Sequence, residues 1–343
     1  MSVYLVDPLT DSRWLEFIET QQEATAFHSP RWLSALHRTY GYKPVVLTTS
    51  PPDTGLANGV AACEIEAWGG RRLVSLPFSD HCQPLVSSAD DHTELFGCLA
   101  EGIQSGRWRS VEIRPAETLF EAGRNLTPTG TYWFHAVNLS QPLEVIYQRF
   151  HPSCVRRAIR RAERELTYEV GTSEALLTQF YYLLRLTRRR HGLVPQPIAW
   201  FRNLLACLGD RVQLHIASLA DRPVAAILTL KFGKKIIYKY GCSDASCHRY
   251  GGMPLLFWRT IEQAKRDGFV TLDLGRSDPD NTGLVAFKEH LGGIASTLTY
   301  YGSLASRETA LVRHTRQATG WLFRRLPTPA LSFAGRVLYK HFG

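Results

Sequence analysis

The sequence predicts an α/β protein made of two similar halves, each with a mixed central sheet. Its 343 residues suffice for two domains, and its 8 tryptophans, 14 tyrosines and 16 phenylalanines supply large apolar side chains for two cores. The 44% hydrophobic and 21% charged residues are typical of a globular chain and exclude a disordered one. Strand and helix patterns follow one another in the same order in both halves, although no residue-level repeat accompanies them.

The first half predicts the order β, α, α, then strands, α and β. Ser29 caps the second helix, Pro30 occupies its first turn and Gly41 ends it. The segments, in order, are SVYLVD, SRWLEFIETQQ, PRWLSALHRTYG, YKPVVLTT, GVAACEIEAWGG, RRLVSLPF, TELFGCLAEGIQSG and SVEIRP.

The second half predicts the order β, α, α, β, β, β, α, β, α, β. A single long basic helix, PLEVIYQRFHPSCVRRAIRRAEREL, precedes it and joins the halves. Its segments are TYEV, SEALLTQFYYLLRLTRRRHG, QPIAWFRNLLACLG, RVQLHIASL, PVAAILTLKF, KKIIYKYGCSD, RYGGMPLLFWRTIEQAKRDG, VTLDLG, GLVAFKEHLG and ASTLTYYGSL. Four segments are predicted: a first domain of residues 1–145, a basic linker helix 146–165, a second domain of residues 166–305 and a basic amphipathic tail 306–343.

Composition narrows the class of protein. No apolar run reaches the roughly 20 residues of a membrane span, and the N-terminus lacks a signal-peptide pattern, which predicts a cytoplasmic protein. The seven cysteines are irregularly spaced, so no disulfide framework is predicted. Cys242, Cys247 and His248 leave a metal site open, but no metal is predicted. The net charge of +9 suits anionic partners such as phosphates, nucleic acid or an acidic membrane.

Several enzyme motifs are missing from the sequence. It has no Walker A loop, no G-x-S-x-G elbow, no H-E-x-x-H and no dinucleotide-binding G-x-G-x-x-G. A dispersed Ser-His-Asp triad stays open. The chemistry must therefore be sought in other residues.

A family resemblance rests on four stretches: FHSPRWLSAL, LTRRRHGLVPQP, YKYGCSD and LDLGRSDPDNTGLVAFKEHLGG. Together with the element order of the second half, they resemble the FemAB-like branch of the GNAT acyltransferase superfamily over nearly the whole chain. This branch includes peptidoglycan aminoacyltransferases and acyltransferases linked to cellulose and exopolysaccharide production. The coiled-coil arm of some Fem ligases has no counterpart here. The resemblance implies tandem GNAT-like domains and transfer of an acyl group to an amine or hydroxyl.

The resemblance also implies a donor site in the loop His248–Pro254. Arg249, Gly251 and Gly252 match the place where GNAT proteins hold the donor's pyrophosphate at a helix N-terminus. The loop departs from the family pattern at Met253 and Pro254, and the proline removes one N–H donor. The donor is predicted to be an acyl-CoA or, as the alternative, an aminoacyl-tRNA. The other interpretation of the loop is that its glycines serve the turn alone.

Three residues are predicted to be catalytic: Lys288, Asp273 and Asp244. Lys288 follows the strand VTLDLG beside an apolar helix face, where a fixed ammonium can stabilise the oxyanion of acyl transfer. Asp273 lies in that strand, and Asp244 follows the preceding one as a weaker candidate for a general base. The alternatives are a solvent-exposed Lys288 and an Asp273 that pairs with Arg276.

Four basic residues are predicted to bind the acceptor substrate: Arg276, His191, Arg157 and Arg160. The run from Arg156 to Arg164 suits the phosphates of a small or lipid-linked acceptor, or a tRNA backbone. A helix whose arginines pair with its own glutamates, and a His191 that only complements a helix end, are the alternatives. The tail 306–343 predicts either peripheral contact with anionic membranes or a cap on the core.

These observations favour an acyltransferase that acts on a cell-envelope or polysaccharide precursor. An aminoacyl-tRNA-dependent ligase is the alternative within enzymes. A non-catalytic envelope-assembly protein, which keeps the fold without the donor site, is the alternative of another class.

Overall fold

The computed structural model describes residues 2–67, 70–117, 126–303 and 339–340. The chain forms two compact units, and their bounds differ from those of the predicted domains. The first unit comprises Met1–Thr131, Leu298–Thr319 and Phe333–Gly343, and the second comprises Tyr132–Thr297 and Gly320–Ser332. The predicted linker 146–165 therefore belongs to the second unit, and most of the predicted tail 306–343 lies outside the described residues.

The first unit contains a sheet with helices at its start and before its last strands. Its helices are α1 (Ser12–Thr20), α2 (Pro30–Tyr40) and α3 (Ala89–Gln104). Its strands are β1 (Tyr4–Val6), β2 (Lys43–Thr48), β3 (Val60–Ala67), β4 (Gly70–Ser75), β5 (Ser110–Ile113) and the end of β12 (Ile294–Gly302). Ser29 caps α2 and Gly41 ends it in a left-handed conformation, as the sequence predicts.

The second unit contains the basic segment and the remaining elements. Its helices are α4 (Leu143–Arg149), α5 (Arg157–Glu165), α6 (Glu174–Arg190), α7 (Ile198–Leu208), α8 (Gly252–Arg266) and α9 (Thr282–His290). Its strands are β7 (Thr167–Gly171), β8 (Val212–Leu219), β9 (Arg222–Phe232), β10 (Lys235–Ser243), β11 (Thr271–Ser277) and most of β6 (Thr127–Asn138).

The strands of the two units pair in the same pattern. In the first unit, β1, β2, β3 and β4 pair antiparallel in turn, β4 pairs parallel with β5, and β5 pairs antiparallel with β12. In the second unit, β7, β8, β9 and β10 pair antiparallel, β10 pairs parallel with β11, and β11 pairs antiparallel with β6. The predicted pair of similar α/β units with mixed sheets is confirmed.

The closing strand of each sheet comes from the other half of the sequence. β6 follows the strands of the first unit in the chain but pairs with β11 of the second. β12 follows the strands of the second unit, and its Tyr301 pairs with Ile113 of the first. The sequence analysis did not predict β6, although TYWFHAVN has the aromatic and β-branched content of a strand.

The predicted long basic helix is wrong, because the chain leaves the helical conformation at Phe150 and His151. Their ψ angles are 139° and 126°, and Pro152 follows. The ring of a proline disfavours the helical conformation of the residue before it. A π-helical turn, Pro152–Arg156, then leads into α5. The buried face of α5, including Ile159 and Ala162, belongs to the core of the second unit.

The parallel strands β10 and β11 separate shortly after they begin. Their ladder joins Lys235, Ile236 and Ile237 to residues 271–273, although β10 continues to Ser243 and β11 to Ser277. The register of β10 against β9 shifts between Tyr238 and Tyr240, at the place where the ladder ends. The register of β11 against β6 shifts between Asp273 and Arg276. Such bulges bend a strand and end its pairing, so they open the sheet between β10 and β11.

Gly275 supports the bulge in β11, which gives the first prediction. Its φ is 73°, whereas Gly283 in the first turn of α9 has no positive φ and open space around it. Gly275→Ala should lower the free energy of unfolding by about 1–2 kcal/mol, the cost of a left-handed L-residue. The control Gly283→Ala should raise it by about 0.5–1 kcal/mol, because it removes glycine's entropy in a helix. Urea denaturation measures both, and equal effects would contradict the assigned bulge.

Candidate functional site

Side chains hold the bulge of β11 from both sides of the backbone of Gly275. The Gly275 N–H donates to Oδ1 of Asp273 at 2.6 Å. The Lys288 ammonium donates to the carbonyl oxygens of Gly275 at 2.9 Å and Arg276 at 2.8 Å. Two of the predicted catalytic residues, Asp273 and Lys288, therefore meet at the backbone of Gly275, at the carboxyl end of a parallel strand, which is a usual position for ligand sites.

Lys288 is 3% exposed, so the alternative of a solvent-exposed lysine is wrong. It lies on α9, whose Phe287 packs against the core of the second unit. A buried ammonium is stable only where it is well hydrogen-bonded, and the two carbonyl groups supply that compensation. The positive charge is thus fixed at the bulge. Its role toward an oxyanion stays a prediction.

His135 is a site residue that the sequence analysis missed. It lies on β6 between Phe134, which faces Arg276, and Ala136, which faces Asp273, so the bulge lies directly opposite it. The side chain is 0% exposed, and within the described residues neither ring nitrogen has a hydrogen-bond partner. Burial and then the charge of Lys288 lower the pKa of His135, so the imidazole is neutral.

Arg276 lies at the end of the same bulge. Its guanidinium is stacked over the ring of Tyr132, 4.0 Å from the centroid, in a cation–π contact. Its backbone carbonyl is one of the two acceptors of the Lys288 ammonium. The predicted acceptor-binding Arg276 therefore belongs to the same group as Asp273 and Lys288.

A second group of side chains surrounds the end of β10. The Ser243 N–H donates to Oγ1 of Thr187 at 2.9 Å, and that hydroxyl donates to the Ser243 carbonyl at 3.1 Å. Arg190 also donates to this carbonyl at 3.4 Å. The Ser243 hydroxyl lies 2.9 Å from Nε2 of His248. The end of α6 thus fixes the end of β10.

Asp244 is a poor candidate for a general base. Its Oδ1 accepts from the backbone N–H and the hydroxyl of Ser246, and its Oδ2 accepts from Arg222 at 2.5 Å. The Ser246 hydroxyl, more than any other neighbour, lowers the pKa of Asp244. A carboxylate stabilised in its charged form accepts protons weakly, so its role here is to cap the 3₁₀ turn Ala245–Tyr250.

The glycines of the predicted donor loop are required for close packing. A Cβ on Gly251, whose φ is 78°, would lie 2.6 Å from the carbonyl oxygen of Ala158 on α5. A Cβ on Gly252 would lie 2.8 Å from the Cβ of Ala225 on β9. Both glycines are buried, while Arg249 is exposed and donates to the hydroxyl of Tyr250 at 2.7 Å. Packing therefore explains the glycines, and donor binding by this loop stays a prediction.

Arg157 and Arg160 are exposed on α5 and form no ion pair with the described residues. Glu163 of the same helix instead pairs with Arg259 of α8, at 3.2 Å. Glu163 therefore pairs outside its own helix, and acceptor binding by Arg157 and Arg160 stays a prediction. Because Ala158 contacts Gly251, this arginine surface adjoins the loop at the start of α8.

His191 is the C-terminal cap of α6, one residue after Arg190, and its ring is exposed. It follows the residue that fixes the Ser243 carbonyl, so the structure places it with the β10 group.

No cluster of His, Cys, Asp and Glu that could hold a metal ion occurs among the described residues. Within the same residues, no helix is both long and apolar enough to cross a bilayer.

A family model matches part of the second unit. Residues 152–289 match the model of the GNAT acetyltransferase domain. The chain carries a GNAT domain. The predicted enzyme class, acyltransferase, is thereby confirmed, and the GNAT domain includes all of the predicted site residues. No curated protein sequence matches the chain significantly.

Solved structures extend the likeness to the rest of the chain. FemX has a TM-score of 0.69 at 13% identity and aligns over 91% of this chain and 100% of its own. The C-terminal domain of a putative lysylphosphatidylglycerol synthetase from Agrobacterium fabrum has 0.59 at 14%, over 90% and 95%. A tandem GNAT protein from the clavulanic acid biosynthesis pathway has 0.54 at 10%, over 89% and 99%. The fold is that of tandem GNAT and FemAB-like proteins, as predicted.

Two buried histidines of the second unit give the second prediction. His215 is as buried as His135, but its ring nitrogens lie 2.8 Å from the hydroxyl of Tyr168 and 3.0 Å from that of Thr229. His135→Phe removes two buried polar atoms without partners and should keep or raise the free energy of unfolding. His215→Phe should lower it by about 2 kcal/mol or more, because it leaves two hydroxyls unpaired. Denaturant unfolding compares the two; a large loss in His135→Phe would show that its ring has partners.

Proposed function

We propose that this acyltransferase moves an acyl group from an activated donor to an amine or hydroxyl of a phosphate-bearing cell-envelope precursor. The observation that carries the proposal is the buried Lys288 ammonium at the β11 bulge, where the sheet of the GNAT domain opens. The acceptor's lone pair attacks the acyl carbonyl, and an oxyanion forms before the donor leaves. A fixed positive charge in a water-poor environment stabilises such an oxyanion.

The acceptor class rests on charge. Arg157 and Arg160 are exposed cations without ion-pair partners among the described residues, and guanidinium groups bind phosphate well. One structural neighbour is named for lysylphosphatidylglycerol, a product that carries a phosphate. Both features support an anionic, lipid-linked acceptor. Contact of the segment 306–343 with an anionic membrane would bring the protein to such a substrate.

An aminoacyl-tRNA is the second candidate for the donor, beside acyl-CoA. The packed glycines of the loop Gly251–Gly252 leave its backbone close to α5 and β9, which favours a donor that does not depend on that loop. The same arginine surface would suit a tRNA backbone. Incubating the protein with labelled acyl-CoAs, or with charged tRNAs, and an amine acceptor separates the two. Transfer from neither donor would contradict the proposed function.

Lys288→Met provides the third prediction. Removing the charge should lower kcat on the order of 10²–10³-fold with little change in KM, as for the loss of a transition-state donor. The sequence alone predicts a small effect on stability for a partly buried ammonium. Because Lys288 is buried, the free energy of unfolding should instead fall by about 1–3 kcal/mol.

Lys265→Met is the matched control for this variant. The Lys265 ammonium also donates to two backbone carbonyls, of Leu139 at 2.6 Å and Gln141 at 2.7 Å, but it lies on α8 away from the bulge. In the Lys265→Met variant the free energy of unfolding should fall by a comparable amount, and kcat should be unchanged. Equal kcat values in the two variants would show that Lys288 has a structural role alone.

Arg157→Gln combined with Arg160→Gln provides the fourth prediction. If these arginines bind phosphates, the double variant should bind acceptor or tRNA more weakly, and its affinity should depend less steeply on salt. The control Arg202→Gln with Arg211→Gln removes the same charge from other surfaces and should leave the salt slope unchanged. Fluorescence titration at several salt concentrations measures both. Identical slopes would contradict a phosphate-binding role for α5.

A further inference from the structure

An exposed imidazole lies at the opening of the sheet, and the chemistry described above does not use it. His248 is in the 3₁₀ turn Ala245–Tyr250 that directly follows β10. Its Nε2 lies 2.9 Å from the Ser243 hydroxyl, while its Nδ1 has no hydrogen-bond partner among the described residues. The ring is therefore held through one nitrogen, and the residue is exposed to solvent.

The hydroxyl that holds this ring is itself well fixed. Ser243 is 8% exposed, and its backbone N–H and carbonyl are both bonded to the Thr187 hydroxyl. The Arg190 guanidinium adds a third bond, to the carbonyl. Three contacts from α6 thus fix the residue that orients His248. Such support holds a reacting group in a productive geometry.

Electrostatics keep the ring in its proton-accepting form. Burial of part of the ring, followed by the positive charge of Arg190 on α6, lowers the pKa of His248 below its usual value, and Asp244 opposes this shift. Arg190 and Asp244 are the charged groups of the described residues that act on the ring. A His with a lowered pKa is neutral at pH 7 and becomes charged only as the pH falls, so a lone pair is present at neutral pH.

The position complements that of Lys288. His248 follows the carboxyl end of β10, and Lys288 is bonded at the carboxyl end of β11, the parallel neighbour from which β10 separates. Crevices at the carboxyl ends of parallel strands bind ligands. Acyl transfer requires a proton acceptor as well as a positive charge, and Asp244, the carboxylate predicted for this task, is engaged elsewhere.

We propose that His248 is the general base of the acyl transfer and that Ser243 is the residue that positions its ring. The inference rests on the proposed function. This role requires the tautomer in which Nε2 carries the hydrogen and donates it to the Ser243 hydroxyl, while Nδ1 carries the lone pair.

The step balances as follows in atoms and charge. The lone pair of the acceptor nitrogen or oxygen forms a bond to the acyl carbon, and the proton of that nucleophile moves to Nδ1 of His248. The bond from the acyl carbon to the donor's sulfur or oxygen breaks, and its electron pair stays on that atom. The proton on His248 then passes to the departing donor atom or to water, which regenerates the neutral ring.

His248→Gln tests the assignment, because an amide can still bond to Ser243 but does not act as a base. We expect kcat to fall about 10²-fold or more, with KM little changed. The kcat/KM of the wild-type protein should fall as the pH drops through the lowered pKa of His248, and the variant should lose this acid limb. Ser243→Ala should lower kcat less and keep the acid limb, as expected for a positioning residue.

Two further variants guard against a misfolded turn. Cys247→Ala changes the neighbouring side chain and should leave kcat and the pH profile unchanged. In His248→Ala, added imidazole should restore part of the activity, since a free base can enter the space left by the ring.

The outcomes separate this inference from the proposed function. A wild-type protein that transfers acyl groups, together with a His248→Gln variant of equal kcat and pH profile, would overturn the base assignment and leave the function standing. Loss of activity in His248→Ala without rescue by imidazole, and with an intact acid limb in His248→Gln, would likewise overturn it. A wild-type protein that transfers from no donor would overturn both.

Discussion

A buried ammonium determines the geometry at the centre of the GNAT domain. Lys288 lies inside the second unit, and a charge there is tolerated only where oxygen atoms surround it. The carbonyls of Gly275 and Arg276 can both point at the ammonium because the strand bulges between Asp273 and Arg276. The bulge in turn requires a residue with positive φ, which glycine provides most easily. The same distortion lies where the parallel ladder to β10 ends, so charge, backbone and sheet opening depend on one another.

Competition for a carboxylate explains why the arginines of α5 remain available. Glu163 would be the natural partner of arginines one turn away, but it pairs with Arg259 across to α8. That ion pair joins two helices of the same core, which share buried residues such as Ile159 and Leu255. The exposed side of α5, which carries Arg157 and Arg160, is left with positive charge. Packing of the core and the proposed binding of a phosphate would in this way be linked through one helix.

The order of elements in the second half was readable from the sequence, because several helix starts and turns carry local signals. Ser173 and Asn281 cap α6 and α9, and Ala220 and Asp221 form the two-residue turn of the β8–β9 hairpin with positive φ angles. Such signals are local, so they survive without knowledge of the tertiary structure. The importance of Lys288 came from a resemblance, and its burial could not have been read from a single helix turn.

Other features depend on contacts between distant residues, and these the sequence could not provide. β6 was missed, and with it His135, because its place opposite β11 is determined by pairing across more than a hundred residues. The glycines at 251 and 252 resemble a phosphate loop, yet their neighbours are Ala158 and Ala225. The break at Phe150 is the exception. Pro152 is a local signal that predicts it, but the continuous run of basic residues around it favoured the prediction of one long helix.

The exchange of closing strands has a consequence for how the chain is made. During synthesis the first unit emerges with β5 at an open sheet edge, since Tyr301 and Gly302, which pair with it, are still to be translated. The second unit, by contrast, finds β6 already present when β11 appears. The N-terminal half must therefore wait, with an unprotected edge exposed to other nascent chains, until nearly the whole of the C-terminal half has left the ribosome.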